Sequence, residues 1–316
     1  MHIGNYIGAL SVWVKNQSKY SNIFCIVDLH ALTTPETVRP DYLRLKVREF
    51  AALYIACGID PGQSAIFVQS HVTAHPELAW LLNCVTPVGW LERMTQYKVK
   101  SSQQQSVSTG LLDYPVLQAA DILLYDTNLV PVGEDQRQHI ELTRDIAQRF
   151  ASLYGETFIL PEALIRTSGA RIMGLDDPTI KMSKSLGEQR AGHSIGLVDE
   201  PDVLARAVAR AVTDPGRELR FDQASAGVLN LLTMYEVLTG EERPAVEARF
   251  EGCGYGDLKR DLTEVLIETL APIRKRYDEL MTDPAELDGI LRAGAERVAP
   301  IAAATLYRAK LAMGCA

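Results

Sequence analysis

The sequence predicts an α/β fold in which a doubly wound parallel sheet is followed by an all-helical C-terminal domain. Short continuous apolar runs alternate with segments of helical periodicity in the first part of the 316-residue chain, and only helical segments remain beyond about residue 196. Apolar strands between helices indicate a parallel sheet covered on both faces. A length of 316 residues with 47% apolar content is sufficient for two domains and a substantial core.

The first predicted elements are a strand, a helix and a second strand. The strands are short apolar runs at residues 23–27 and 65–68, and apolar residues recur at helical spacing from Leu43 to Cys57 between them. Gly58 directly follows this helix, and residues 60–62 (Asp-Pro-Gly) supply a turn before the second strand. Strand, helix, strand is the unit from which a parallel sheet is built.

A third strand and the helical C-terminal part follow. The strand is predicted at 128–132, before a helix that begins near Gln136, and the stretch 187–196 has no periodicity. The helices predicted beyond it cover residues 202–212, 227–238, 258–280 and 284–313. We therefore predict one domain over 1–190 and a helical domain over 191–316, with a last helix that can return to the first domain.

Composition restricts the class of protein. No run approaches 18 apolar residues, and the start lacks the basic and apolar parts of a signal peptide, so a soluble cytoplasmic protein is expected. Five widely separated cysteines without a C-x-x-C pair suggest neither a zinc site nor a disulfide framework. The net charge of -8 argues against broad, non-specific affinity for nucleic acid but does not exclude a local basic surface.

Two segments are suited to phosphate binding. His2-Ile3-Gly4-Asn5 stands at a predicted helix start, where side-chain donors and free backbone N–H groups can meet a phosphate, although a solvated polar terminus is the commoner explanation of such a cluster. Lys181-Met182-Ser183-Lys184-Ser185, the lysine loop, puts two lysines three residues apart with hydroxyls between them. Such a loop can stabilise the charge that develops on a triphosphate, and an ordinary solvated basic loop is the alternative.

A third segment places a carboxylate on an apolar helical face. Tyr114, Gln118 and Asp121 share this face with Leu117 and Leu124. Burying an ionised carboxylate without a partner costs on the order of several kcal/mol, so the carboxylate needs a donor. The donor is either a neighbouring Arg or backbone cap, or a ligand group such as an indole N–H, which donates and cannot accept.

A fourth segment follows the third strand. Gly133, Glu134, Asp135 and Gln136 lie at the carboxyl end of a parallel strand, where open sheets bind ligands. Glu134 or Asp135 could accept from a ribose hydroxyl or a substrate ammonium, and Gln136 could position the substrate. Acids are also favoured at a helix N-terminus by the helix dipole, and both explanations can hold together.

The first two segments together resemble the motifs of the class I aminoacyl-tRNA synthetases, which bind ATP on a Rossmann-type fold. By this resemblance Lys181 and Lys184 hold the pyrophosphate leaving group and Lys100 reaches the triphosphate. Residues 114–125 and 133–136 closely resemble the tryptophan-specific branch of the family, in which the position of Asp121 reads the indole nitrogen. Gln118 departs from the pattern, since the resemblance implies Met there, and Leu186-Gly187-Glu188 replaces an Asp-rich turn.

The resemblance implies the following sets of functional residues. The ATP contacts are His2, Gly4, Asn5, Gly133, Glu134, Asp135, Ile172, Lys181, Met182, Ser183, Lys184 and Ser185. The tryptophan contacts are Asp121, Tyr114, Gln118, His30 and Gln136, and the catalytic residues are Lys181, Lys184, Lys100 and Gln136. No dedicated metal site is expected, because Mg²⁺ arrives on the phosphates of ATP.

The implied enzyme activates L-tryptophan with ATP and transfers it to tRNA(Trp). Residues 191–316 would recognise the anticodon, and residues of about 85–125 would form a homodimer contact. Family members usually have a strand before the position of Met1, so the first strand is expected to be missing, through a misplaced start, a truncation or a protein with impaired chemistry. A tyrosine-specific synthetase and a synthetase-like tryptophan-binding protein without charging activity are the alternatives, and a small-molecule nucleotidyltransferase is disfavoured by the long helical domain.

Overall fold

The computed structural model describes residues 1–102, 104, 106–165 and 171–316, apart from the side chains of Thr37 and Ser185. Helices form most of the described chain. They are α1 (Ile3–Asn5), α2 (Ser11–Asn16), α3 (Asp28–Ala31), α4 (Pro40–Ala56), α5 (Ala74–Asn83), α6 (Val88–Glu92), α7 (Thr95–Ser101), α8 (Thr109–Leu123), α9 (Arg137–Tyr154), α10 (Lys184–Gln189), α11 (Pro201–Ala209), α12 (Ala226–Thr239), α13 (Arg243–Arg249), α14 (Tyr255–Thr282) and α15 (Pro284–Met313). Shorter helical turns are a π turn (Tyr6–Leu10) and 3₁₀ turns (Gln17–Lys19, Pro35–Thr37, Gln69–His71 and Glu134–Gln136).

The strands pair in parallel. They are β1 (Ile23–Ile26), β2 (Ala65–Val68), β3 (Leu129–Val132) and β4 (Glu162–Ile165). β1 pairs with β2 and β3 with β4, so that Ile26 lies opposite Val68 and Val132 opposite Ile165. The predicted α/β class with parallel strands and a helical C-terminal region is thus confirmed. β4 was not predicted, because its apolar run is only three residues long, Ala163 to Ile165, and directly follows Pro161 and Glu162.

The predicted helices are present, with small differences at their ends. α15 has the predicted bounds, and α9 begins one residue after Gln136, which belongs to a 3₁₀ turn. α11 ends at Ala209, before the predicted residue 212, because the N–H of Val212 bonds to the carbonyl of Leu175 at 2.8 Å. Within the described chain, no helix is both long enough and apolar enough to cross a membrane.

The chain folds into two compact units, each built from separate segments. Unit 1 comprises Met1–Asn22, Ala52–Ser64 and Ser168–Pro284, and unit 2 comprises Ile23–Ala51, Ala65–Thr167 and Ala285–Ala316. Each unit therefore draws on residues from both sides of position 190. The predicted division into a catalytic and an anticodon-recognition part concerns function and stays a prediction.

The core of unit 1 is helical, and α14 is central to it. α14 packs against α11 and α12, and its residues Leu258, Leu262, Leu266 and Leu270 are fully buried. Their spacing of four residues places them on one face of the helix. The C-terminal helices are therefore held by a continuous apolar contact.

The core of unit 2 lies between the strands and helices α5, α8, α9 and α15. Phe67, Leu78, Leu123, Phe150 and Val298 are among its buried side chains. Burying each such side chain contributes on the order of 2 kcal/mol, which makes this cluster the main source of stability of unit 2. The last helix thus belongs to the same unit as the strands.

We expect Gly294→Ala to destabilise the protein. A Cβ at Gly294 would lie 1.9 Å from the carbonyl oxygen of Ile66, so the backbones of α15 and β2 would have to separate. Gly289→Ala on the same helix is the control, because a Cβ there meets nothing within 4 Å and should raise stability by about 0.5–1 kcal/mol. Melting temperatures of both variants test this, and equal effects of the two would contradict the close approach.

Candidate active site

Helix α8 presents the predicted pocket residues on one face. Tyr114, Gln118 and Asp121 are four and three residues apart, which repeats the helical turn. The helix begins where the Ser108 hydroxyl accepts the N–H of Leu111 at 3.2 Å. This cap fixes the first turn, and the pocket side chains therefore project from a rigid element.

The Asp121 carboxylate accepts hydrogen bonds from three side chains of unit 2. Its Oδ1 lies 2.6 Å from Nε2 of Gln69 and 2.6 Å from Nδ1 of His75, and its Oδ2 lies 2.7 Å from Nε2 of His30. The side chain of Asp121 is only 10% exposed. The predicted need for a donor is therefore met by two histidines and an amide, rather than by an Arg or a backbone cap.

These contacts decide the charge of the carboxylate. Burial by itself would raise the pKa of Asp121, but the hydrogen bonds from His30 and His75 outweigh it and lower the pKa below its ordinary value. Asp121 is therefore ionised at neutral pH. Because a carboxylate offers about four acceptor positions and the described part of the chain supplies three donors, one position remains open with respect to these residues.

The sequence analysis did not name three residues of the Asp121 network as site residues: His75, Tyr125 and Gln69. His75 is fully buried, and its Nε2 lies 2.7 Å from the Tyr125 hydroxyl. Gln69 is also fully buried and accepts the N–H of Leu29 at 3.2 Å. Its position in the sequence could have identified Gln69. It directly follows β2 and so lies at the carboxyl end of a parallel strand, where ligand sites form.

The ring of Tyr114 is held from two sides. Its hydroxyl lies 2.9 Å from Nε2 of His139, and the ammonium of Lys100 lies 5.2 Å from its centroid, within cation–π range. Burial lowers the pKa of His139 to about 4, and the charge of Lys100 acts in the same direction. His139 is therefore neutral at pH 7, so the Tyr114 hydroxyl can donate to it.

Gln118 is half-buried, and its amide forms no hydrogen bond with another described residue. An amide carries both donors and an acceptor, so this position is available for a polar contact that a Met could not make. The departure from the family pattern therefore changes the hydrogen-bonding capacity of the pocket wall.

The segment after β3 forms a 3₁₀ turn before α9. The exposed Glu134 pairs with Arg137 at 2.7 Å, which lowers the pKa of Glu134. The amide of Gln136 donates to Asp135 at 3.0 Å, and its backbone N–H bonds to the carbonyl of Gly133 at 3.0 Å. The predicted residues thus lie together at the carboxyl end of the strand.

In unit 1 the N-terminal segment packs along residues 195–197. The N–H of Ile3 bonds to the carbonyl of Ile195 at 2.9 Å, and the side chain of Asn5 accepts the N–H of His2 at 3.0 Å. Two N–H groups of this segment that were predicted to be free for a phosphate therefore have protein partners. A Cβ on Gly4 would lie 3.0 Å from the His2 imidazole, so a glycine at this position avoids a close contact with that ring.

The lysine loop is attached through its backbone to the segment before it. Lys181 forms an antiparallel bridge with Met173, and the N–H of Met182 bonds to the carbonyl of Ile172 at 3.1 Å. Ile172 and Met182 are buried, whereas the Lys181 side chain is exposed. Such a loop holds its main chain in place and leaves its cationic group free.

The second half of the loop opens α10. The Ser183 hydroxyl accepts the N–H of Leu186 at 3.3 Å as an N-cap, and the exposed Lys184 lies 3.7 Å from Glu188. The Ser183 N–H points to Nε2 of His193 at 3.4 Å. The side chain of Ser185, a predicted ATP contact, lies outside the described residues.

Each unit therefore collects one group of the predicted residues. In unit 1, which contains both phosphate motifs, burial lowers the pKa of His2 to about 4, and the positive charges of the amino terminus and of Lys181 act in the same direction. In unit 2 Asp121, His30 and Tyr114 form one cluster. Among the described residues, no group of His, Cys, Asp and Glu side chains is arranged to hold a metal ion.

Comparisons with known proteins give consistent results. The sequence profile of a family described as "tRNA synthetases class I (W and Y)" matches residues 1–271. The chain is 53% identical over 315 residues to a tryptophan–tRNA ligase of Gloeobacter violaceus, covering 99% of this chain and 93% of the relative. It is 49% identical over 315 residues to a tryptophan–tRNA ligase of Helicobacter pylori, covering 99% and 95%.

The fold is similar to that of solved synthetases. A tryptophanyl-tRNA synthetase from Campylobacter jejuni, solved in complex with ADP and tryptophan, superposes with a TM-score of 0.87 at 34% identity, covering 99% of this chain and 96% of that one. A tryptophanyl-tRNA synthetase from Mycoplasma pneumoniae also gives a TM-score of 0.87, at 32% identity and with coverages of 99% and 94%.

We expect acidification to destabilise the fold partly through His139. The pKa of this residue is about 6.5 in the unfolded chain and about 4 in the folded protein, so its contribution is lost as pH falls through that window, by about 1.4 kcal/mol per pH unit. His139→Gln cannot titrate, and its amide can still accept from Tyr114. The fall in melting temperature between about pH 7 and about pH 5 should be smaller in this variant than in the wild type or in the exposed control His71→Gln. An unchanged fall would show that His139 is not buried in its neutral form.

Proposed function

Since this chain belongs to the class I tRNA synthetases of the tryptophan and tyrosine family, we propose that it activates L-tryptophan with ATP and transfers the amino acid to tRNA(Trp). The carboxylate of tryptophan attacks the α-phosphorus of ATP, which forms tryptophanyl-adenylate and releases pyrophosphate. A ribose hydroxyl at the end of the tRNA then attacks the activated carbonyl and releases AMP. Neither step requires a nucleophile from the protein.

The observation that carries this proposal is the ionised, nearly buried carboxylate of Asp121, which keeps one acceptor position open. The indole N–H of tryptophan donates one hydrogen bond and accepts none, so it suits that position. Phenylalanine offers no donor and would leave the buried acceptor position unpaired, which costs about 1–3 kcal/mol. Tyr114, Gln118, His30 and Gln136 complete the proposed tryptophan contacts.

Catalysis is proposed to come from alignment and charge stabilisation. Lys181 and Lys184 of the lysine loop, together with Lys100, stabilise the negative charge that accumulates on the departing pyrophosphate. Gln136 orients the amino acid, because alignment of the carboxylate with phosphorus supplies much of the rate. Mg²⁺ enters as part of the Mg-ATP substrate.

The proposed nucleotide contacts fall into sets within each unit. They are His2, Gly4, Asn5, Ile172, Met182, Ser183 and Ser185 in unit 1, and Gly133, Glu134 and Asp135 in unit 2. Residues 191–316 are proposed to read the anticodon. The proposed location is the cytoplasm, where tRNA charging supplies protein synthesis.

We expect Asp121→Asn to lower kcat/KM for tryptophan by about 100-fold or more, since an amide cannot accept from both histidines and the indole at once. The KM for ATP should change less than about threefold. Tryptophan-dependent ATP–pyrophosphate exchange measures both values. Asp113→Asn on the same helix is the matched control, because Asp113 is half-buried and bonded to Asn83 at 2.8 Å, outside the proposed pocket.

The same assay separates the alternatives. Exchange driven by tyrosine rather than tryptophan would identify a tyrosine-specific enzyme, and tryptophan binding without exchange would identify a binding protein that does not charge tRNA. Unchanged catalytic efficiency in Asp121→Asn would remove Asp121 from the site and leave only an ATP-using fold.

We also propose that the protein is a homodimer formed through residues of about 85–125. Val88, Val99 and Val107 in this segment are 58%, 50% and 41% exposed, so apolar side chains are available there for a contact with a second copy. Val88→Asp combined with Val99→Asp should halve the molar mass measured by light scattering. Leu153→Asp, at an equally exposed apolar position on α9, should leave the mass unchanged. A monomeric wild-type protein would contradict the proposal.

A further inference from the structure

We propose that His75, supported by Tyr125, is a positioning residue for amino-acid recognition: it occupies Oδ1 of Asp121 so that only Oδ2 is presented to the indole N–H. This inference rests on the proposed function, because it assigns a role to residues behind the carboxylate that reads tryptophan. Neither residue is proposed to touch the substrate.

The hydrogen bonds divide the two oxygens of Asp121 unequally. Oδ1 accepts from Gln69 and His75, both at 2.6 Å, and therefore has no further lone pair in a favourable direction. Among the described residues, Oδ2 accepts only from His30, at 2.7 Å. Gln69 and His75 are fully buried, whereas the side chain of His30 is 16% exposed. The open acceptor position therefore lies on the oxygen that faces the less buried partner.

Tyr125 fixes the orientation of the His75 ring. Asp121 is ionised and can only accept, so Nδ1 of His75 must carry the proton. Nε2 is then bonded to the Tyr125 hydroxyl at 2.7 Å, and the two rings lie 5.6 Å apart. With both nitrogens engaged, rotation of the imidazole would break two short hydrogen bonds inside the core. A buried network satisfied in this way holds its members in one arrangement.

The network also connects the carboxylate to rigid elements. Gln69 follows β2, His75 belongs to α5 and Tyr125 follows α8, and Phe67 of β2 packs against the rings of His75 and Tyr125 at 5.8 and 5.9 Å. The carboxylate cannot turn to exchange its oxygens without disturbing these contacts. Its direction is therefore set before a ligand binds, which lowers the cost of binding.

Two substitutions of one residue test the proposal. In His75→Asn the amide nitrogen takes the place of Nδ1 and can still donate to Asp121, whereas in His75→Gln the amide reaches the place of Nε2 and meets Tyr125 instead. Positioning predicts that His75→Gln raises both the Kd and the KM for tryptophan by about 10-fold or more, and that His75→Asn raises them much less. The KM for ATP should stay within about threefold in both variants. Tyr125→Phe keeps the hydrogen bond from His75 to Asp121 and should therefore also raise the KM for tryptophan much less than His75→Gln does.

The order of the two variants distinguishes positioning from packing. Asn is smaller than Gln and leaves the larger cavity. If His75 only fills space, His75→Asn should therefore lose more tryptophan affinity than His75→Gln. That order, or equal tryptophan affinity in both variants, would overturn the proposal. His71→Asn and His71→Gln are the control pair, since His71 is exposed on the same segment of chain. Calorimetry measures the binding of L-tryptophan without catalysis and tests the role of His75. Exchange activity of the wild type tests the proposed function. The two proposals can therefore fail independently of each other.

Discussion

The buried charge of Asp121 is the constraint on which the arrangement of unit 2 depends. An ionised carboxylate in a protein core costs several kcal/mol unless donors surround it. β1 and β2 pair with Ile26 opposite Val68, so the chain leaves both strands at the same edge of the sheet. That register carries His30 and Gln69 to the same carboxylate from two directions. The parallel sheet thus builds the polar pocket at its carboxyl edge, where open sheets place their ligands.

Recognition in this pocket follows from which acceptor positions the protein leaves open. Three donors bond to Asp121 without using all of its acceptor capacity, and the two histidines among them keep it ionised. A fourth donor from a ligand can then bind without displacing a protein group. The half-buried amide of Gln118 adds a second polar group beside it. The proposed selectivity therefore depends on the number of open hydrogen-bond acceptors as well as on the shape of the pocket.

In unit 2 the proposed functional charge is buried, whereas in unit 1 the charged side chains of the lysine loop are exposed. The lysine loop is fixed by main-chain bonds to the segment before it, while the side chains of Lys181 and Lys184 are exposed. A fixed backbone with solvent-exposed ammonium groups, of which that of Lys184 lies 3.7 Å from Glu188, can follow a phosphate chain whose charge moves during displacement. His2 is buried beside this loop, and burial keeps it neutral at pH 7. The two phosphate motifs therefore combine one neutral and two cationic groups.

The sequence by itself determined the elements and the identity of the motifs, because both depend on neighbours in the chain. Helical spacing gave the bounds of α15 and the shared face of Tyr114, Gln118 and Asp121, and short apolar runs gave β1, β2 and β3. β4 was not predicted because its apolar run, Ala163 to Ile165, is only three residues long. Only the tertiary structure decided which groups satisfy Asp121, since His30, Gln69 and His75 lie 91, 52 and 46 residues away from it. Local periodicity carries no information over such distances, and the donors become neighbours only when the sheet forms.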